Sequence, residues 1–90
     1  MTTVRIPPTL RTATGGAKEI EIAGSTVREV IADLLAAHPS LTAQLLDAEG
    51  ELNRFINVFL NDTDVRYLDA LETKVDARDR VVLLPAMAGG

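Results

Sequence analysis

One amphipathic helical pattern, flanked by segments that alternate polar and apolar residues, most constrains the fold of this chain. Apolar residues recur at helical spacing along a single face: Val27, Val30, Ile31, Leu34 and Leu35. Thr26 and Glu29 have the spacing of a capping box, and Pro39 disfavours helix in the residue before it. The pattern therefore predicts a helix over residues 26–37 whose apolar face covers a sheet.

The segments around this helix predict the sheet. Strands are expected at five places: residues 4–6, 18–22, 55–60, 65–67 and 80–84. Leu10 and Arg11 are expected to extend the first strand after a bend, and Gly15-Gly16 is a turn signal, so the first two strands form a hairpin. One sheet covered by one main helix is an α+β roll.

Two further segments are expected to dock on this core. Ser40 is placed to cap a shorter second helix, from which Leu41, Leu45 and Leu46 face inward. Residues 68–79 form a connector in which Leu71 and Val75 contact the core.

Composition narrows the class of protein. Ninety residues with 47% hydrophobic content suffice for a single globular domain over residues 1–90. The net charge is −4 and the basic residues are scattered, so the sequence predicts no nucleic-acid partner. The sequence shows no signal peptide and no run long enough to span a membrane, which predicts a cytoplasmic protein without a membrane partner.

The side chains offer little chemistry of their own. The chain contains no Cys, and its one histidine, His38, lies at the predicted helix end, so neither a metal site nor a catalytic residue is predicted. Ser25 and Ser40 sit at capping positions. Gly15-Gly16 lacks the Lys-Ser/Thr pair and the helix start of a phosphate-binding loop. The sequence therefore predicts no bound cofactor and no enzyme.

The most informative chemical feature is the doublet Gly89-Gly90, five residues beyond Pro85. Glycine has no Cβ, so such a tail is thin and can thread a narrow channel to present a carboxylate to another protein's active site. The alternative is a frayed end of small residues with no role. In either case residues 86–90 are expected to be exposed and flexible.

Three stretches together resemble the β-grasp fold of ubiquitin and, more closely, the sulfur carriers of the ThiS/MoaD family. They are residues 6–16, residues 55–66 and residues 82–90, the last of which runs from the predicted final strand through Pro85 to Gly-Gly. The first stretch most resembles the CysO-like branch, which serves cysteine synthesis. The resemblance implies a mixed sheet of four or five strands whose terminal strands are central and parallel.

The resemblance also implies a mechanism. An adenylating and sulfurtransferase enzyme of the MoeB/ThiF type uses ATP to activate the carboxylate of Gly90, and a sulfur donor then converts it to a thiocarboxylate. Gly89, Ala88 and Met87 thread into that partner. A biosynthetic enzyme accepts the sulfur, and the free carrier is a monomer. The sequence does not identify the acceptor or the donor.

A binding surface for these partners is expected on the face of the sheet away from the helix. Period-two alternation puts Phe59 on that face, with Phe55 as a neighbour. Alternation also puts Val82 and Leu84 on one face of the last strand, and the resemblance to ubiquitin implies that this face is the outward one. The alternative is that the loop of residues 47–54 folds over and covers the phenylalanines.

Two other functions stay open at this point. A protein modifier would join Gly90 to lysines of target proteins after the same activation. A non-covalent binding module of ubiquitin-like fold would leave the tail inert. A thiocarboxylate on Gly90 distinguishes the carrier from both.

Overall fold

The fold is a five-stranded mixed sheet. The computed structural model describes residues 1–53 and 55–85, with Pro85 described by its backbone alone. The strands are β1 (Thr2–Arg5), β2 (Glu19–Ile22), β3 (Ile56–Leu60), β4 (Thr63–Asp64) and β5 (Arg80–Pro85). Their order in the sheet is β2-β1-β5-β3-β4, and β1 and β5 are parallel while the other pairs are antiparallel. The predicted pairing of central, parallel terminal strands is confirmed.

The main helix, α1 (Val27–Ala37), begins and ends as its sequence predicts. The Thr26 hydroxyl accepts a hydrogen bond from the Glu29 N–H at 3.2 Å. Glu29 in turn accepts one from the Ser25 N–H at 2.8 Å, one residue earlier than in the usual reciprocal box. These two bonds satisfy backbone donors at the helix start, where no intrahelical acceptor exists.

The core lies between α1 and one face of the sheet. The helix contributes Val27, Val30, Ile31 and Leu34, all buried. From the strands, the buried hydrophobic residues that meet them are Val4, Ile22, Ile56, Val58, Val81 and Leu83. Each fully buried side chain of this kind stabilises the fold by roughly 1.5–3 kcal/mol.

Two of the predicted strand segments are 3-10 helices instead. One of them spans Pro8–Thr14, because proline fixes φ at a helical value and suits the first turn of a helix. Leu10 lies in this 3-10 helix and its side chain is buried in the core. The other, Val65–Tyr67, begins where the Asp64 side chain accepts a hydrogen bond from the Arg66 N–H at 2.9 Å. The predicted extension at Leu10 and Arg11 and the strand at residues 65–67 were therefore wrong.

The second helical segment is shorter than expected. A 3-10 turn, Pro39–Leu41, leads into one turn of α-helix, α2 (Thr42–Leu45). Leu41 and Leu45 are buried as predicted and Leu46 is half-buried. Ser40 lies inside the 3-10 turn, and neither cap position has a side-chain hydrogen bond, so its predicted capping role was wrong.

The connector before β5 docks as predicted. Val75 is buried and Leu71 packs against the core while remaining partly exposed. The backbone N–H groups of Val27 and Val75 donate to the carbonyls of Thr73 and Ser25, both at 2.9 Å, and so tie the connector to the start of α1.

Replacing Gly24 with alanine should destabilise the fold more than the same change at Gly50. Gly24 has φ +142°, and a Cβ there would lie 2.9 Å from the backbone nitrogen of Val30. Gly50, at φ +81°, has open space around it. We expect a loss of about 2 kcal/mol or more in the free energy of unfolding for Gly24→Ala and about 1 kcal/mol for Gly50→Ala. Equal losses in urea denaturation would contradict the steric argument.

Stability should also depend on pH through Asp64. The side-chain hydrogen bond from Arg66, followed by the backbone bond from the same residue, holds the pKa of Asp64 below its ordinary value. A lowered pKa in the folded state adds stability above the unfolded-state pKa of about 3.9, and that stability is lost as the pH falls further. We therefore expect Asp64→Asn to be less stable than the wild type at pH 7, with the difference shrinking below about pH 4. This assignment is wrong if the difference between the urea midpoints of the wild type and Asp64→Asn does not change with pH.

Candidate protein-binding face around the last strand

Strand β5 separates its side chains cleanly between the two faces of the sheet. Val81 and Leu83 are fully buried on the helix side. Val82 is half-buried and Leu84 is 43% exposed on the opposite side. The predicted outward pair thus faces away from α1, because side chains alternate along a strand.

The neighbouring strands extend this apolar surface. Val82 lies beside Phe59 of β3 and beside Arg5 of β1, and Leu84 lies beside Asn57. Directly opposite side chains in a sheet have Cβ atoms about 4.5–5.5 Å apart, so Phe59 and Val82 are in reach of each other. We refer to Phe59, Val82 and Leu84 as the outer apolar patch.

Phe55 stands next to the end of this patch. Phe55 precedes Ile56, which pairs with Pro85 at the end of β5. The Phe55 side chain is 62% exposed. Its backbone N–H donates to the Asn53 side-chain oxygen at 2.9 Å. The loop therefore does not cover Phe55, contrary to the alternative considered from the sequence, although Phe59 is half-buried.

A groove runs beside Leu84 at the end of β5. It has a volume of about 340 Å³, and its lining includes Arg5, Pro7, Pro8 and Arg11. The Arg11 Nε donates to the carbonyl of Ile6 at 3.0 Å, which fixes this guanidinium at the rim. The groove and the patch share Val82 and Leu84, so they form one continuous surface at the point where β5 ends.

The predicted tail residues Met87, Ala88, Gly89 and Gly90 lie outside the described residues. Their exposure and flexibility, and their role in threading, remain predictions. The outer apolar patch and the groove lie at the end of β5, the last described strand before these residues in the sequence.

The remaining candidates found in the sequence have structural surroundings. His38 closes α1 by donating its backbone N–H to the carbonyl of Leu34 at 2.8 Å. Within residues 1–53 and 55–85, no three potential ligands cluster to hold a metal ion. None of the helices in these ranges is both long and apolar enough to cross a membrane.

Sequence reasoning missed a set of arginines at the edge of the patch. Arg5, Arg78 and Arg80 line a second depression, which also touches Val82. Alternation places Arg5 on the outward face, but only the folded topology brings it next to the turn before β5.

A mixed sheet with parallel central terminal strands, covered by one helix, defines the class: this is a ubiquitin-like β-grasp fold. The sequence model of the ThiS family matches residues 4–90. The chain therefore belongs to the ThiS family.

Individual relatives match over most or nearly all of this chain. The sulfur carrier protein CysO of Mycobacterium tuberculosis is 43% identical over 90 residues, which cover 98% of this chain and 97% of the relative. A chain of the crystal structure of the Amycolatopsis orientalis BexX/CysO complex is 48% identical, with full coverage of both chains and a TM-score of 0.88. Small archaeal modifier protein 3 of Haloferax volcanii is 35% identical over 66 residues, which cover 73% of this chain and 71% of the relative.

Proposed function

We propose that this chain is a sulfur carrier and that Gly90 carries the sulfur as a thiocarboxylate. The observation that carries the proposal is the end-to-end match with the CysO sulfur carrier, at 43% identity. The fold supports it, because the central strand β5 leads from the buried core toward the Gly-Gly doublet.

Loading of sulfur on the Gly90 carboxylate proceeds in two steps. An oxygen of the Gly90 carboxylate attacks the α-phosphorus of ATP, and pyrophosphate leaves. A donor then supplies hydrosulfide, whose sulfur attacks the acyl carbon. AMP leaves with the bonding electrons and the S–H proton goes to solvent, which leaves the thiocarboxylate. Adenylation is needed because a carboxylate is a poor electrophile, and glycine places no side chain beside the carbon under attack.

The carrier's own part in this chemistry is docking and reach. The outer apolar patch provides apolar anchors of the kind that protein interfaces favour. Five residues beyond Pro85 span at most roughly 17 Å, enough to bring a carboxylate from the sheet into a recessed nucleotide site. The chain acts as a co-substrate, and the catalytic groups and the ATP belong to its partners.

Two partners complete the proposal. An adenylating enzyme of the MoeB/ThiF type loads the sulfur, and a biosynthetic enzyme, for cysteine or another sulfur-containing metabolite, accepts it. A relative of this chain forms a crystallised complex, that of BexX with CysO. We propose that the exchange takes place in the cytoplasm and that the free carrier is a monomer.

A protein modifier is the second candidate, favoured by the match with small archaeal modifier protein 3. It would use the same adenylate, with a lysine amine of a target protein in place of the sulfur nucleophile. Intact mass of the protein from its native cell separates the two. Replacement of one oxygen by sulfur supports the carrier, and isopeptide adducts on foreign lysines support the modifier.

Changing Leu84 to aspartate should weaken loading while leaving the fold intact. The residue is exposed in the free chain, and a carboxylate set against an apolar partner surface loses its hydration without compensation. We expect thiocarboxylate formation by the adenylating enzyme to slow by roughly ten-fold or more.

Leu68→Asp is the matched control for this change. Leu68 is 46% exposed, close to the value for Leu84, and lies in the turn after the Val65–Tyr67 helix rather than on the patch. We expect normal loading from it. The patch is not the docking surface if both variants load alike with unchanged unfolding midpoints.

Removing Gly90 should abolish sulfur loading without changing stability. The new carboxylate would stop one residue short of the reacting position, while the buried core would be untouched. Gly89→Ala should have an intermediate effect because its Cβ enters a narrow channel. Unfolding and thiocarboxylate formation are measured side by side. A truncated chain that loads at the normal rate, or that unfolds, would refute this role for the tail.

A further inference from the structure

Amino groups are scarce in this chain. The sequence holds the side-chain amines of Lys18 and Lys74 and the α-amine of Met1, while the remaining cationic side chains, apart from one histidine, are arginines. A guanidinium stays protonated and has no lone pair to offer, whereas a lysine amine can act as a nucleophile. An activated carboxyl group on Gly90 could therefore react with three amines of its own chain, and the fold decides which of them it can reach.

Lys18 lies at the end of the sheet where β5 finishes. Its backbone carbonyl accepts a hydrogen bond from the N–H of Ile6 at 2.8 Å. Ile6 directly follows Arg5, which pairs with Val82 of β5. Lys18 therefore lies two strands away from β5, in the row just beyond Val82. With strands about 4.8 Å apart and a rise of about 3.3 Å per residue, its backbone is roughly 12 Å from that of Pro85.

The other two amines lie at the opposite end of the sheet. Met1 precedes β1, which runs parallel to β5, so it lies where β5 begins. The Thr2 hydroxyl donates to the carbonyl of Asp76 at 3.0 Å, which places the connector that carries Lys74 at the same end. The row of Thr2 is roughly 20 Å from Pro85 along the strand direction. Residues 86–90 span at most roughly 17 Å, so only the backbone of Lys18 lies within that reach.

The groove described above lies between the end of β5 and Lys18. It is lined by Leu84 on one side and by Pro7, Pro8 and Arg11 on the other. The Arg11 Nε donates to the carbonyl of Ile6, the same residue whose N–H donates to Lys18. A chain segment that leaves β5 in this direction thus crosses a depression on its way to Lys18.

The Lys18 amine is also available for reaction. Lys18 is exposed, and among residues 1–53 and 55–85 no carboxylate lies within 4.0 Å of its amine. Lys74 shares both properties, and its backbone pairs with Thr26 at the start of α1. The two lysines are therefore a matched pair that differs in distance from the end of β5.

We propose that Lys18 is a site of self-modification, at which the activated carboxyl group of Gly90 forms an isopeptide bond within the same chain when no sulfur is supplied. The Lys18 nitrogen attacks the acyl carbon of the Gly90 adenylate and a C–N bond forms. The bond from that carbon to the phosphate oxygen breaks, AMP leaves with the electron pair, and the amine proton goes to solvent. The product is a ring of residues 18–90 that can no longer accept sulfur at Gly90.

The short connection favours the chain's own amine over that of a second copy. A tether of a few residues gives a reacting group an effective concentration on the order of millimolar, well above the concentration of a second copy in a dilute solution. Supplied sulfur competes for the same acyl carbon, so loading protects the chain from ring closure. The inference rests on the proposed function in one respect, since adenylation of Gly90 must come first.

The test uses the full chain with ATP and the adenylating enzyme, without a sulfur donor. Pyrophosphate release reports adenylation, and intact mass reports the ring, which is lighter than the open chain by one water. Fragmentation of the ring should show Gly90 joined to Lys18. We expect Lys18→Arg to lower the yield of the ring by about ten-fold or more, and Lys74→Arg to leave it unchanged within about two-fold.

Three results would overturn the inference. They are pyrophosphate release without ring closure, an equal yield of ring from Lys18→Arg and the wild type, and a product with the mass of two chains less one water, which would make a second copy the acceptor. Urea unfolding midpoints report whether each variant is folded. Ring closure that fails while pyrophosphate is released refutes this inference alone, whereas no release from the wild type refutes the proposed function as well.

Discussion

The two-sided alternation of β5 is the constraint on which the rest of the structure depends. Val81 and Leu83 anchor the sheet to α1, while Val82 and Leu84 form the outer surface. Because β5 pairs on one side with β1 and on the other with β3, its register cannot slip without breaking both pairings. A slip of one residue would exchange the core and the patch. The same alternation therefore specifies both the core and the surface proposed for partner docking.

Most of the fold could be predicted because its signals are local. The stripe from Val27 to Leu34 and the alternation before Pro85 specify α1 and β5 without reference to the rest of the chain. The predictions of local structure failed where a short stretch of residues fits two kinds of secondary structure. Pro8 and its neighbours suit a 3-10 turn as well as an extended bend, and burial of Leu10 favours the turn. At Val65 the Asp64 cap outweighs the strand preference of a β-branched residue.

The candidate site, too, could be predicted where its signals are local and not where they depend on the folded topology. Period two is enough to predict that Val82 and Leu84 share a face, and the structure places both there. The arginines at the edge of the patch were missed because Arg5 and Arg78 are distant in sequence and meet only through the parallel pairing of β1 and β5. Exposure of Phe55 depends on the path of the loop before it, which no periodic pattern specifies.

The pairing of Thr3 with Arg80 has a consequence for biosynthesis on the ribosome. Strand β1 is translated before the other strands, but its central neighbour β5 is the last of the described strands to be made, so the sheet cannot close before β5 has been synthesised. Contacts this distant in sequence also slow folding. The strand that completes the sheet is the one that leads toward the Gly-Gly doublet. Until β5 is made, Phe59 has no Val82 beside it, so the surface proposed for partner docking cannot assemble on a partly synthesised domain.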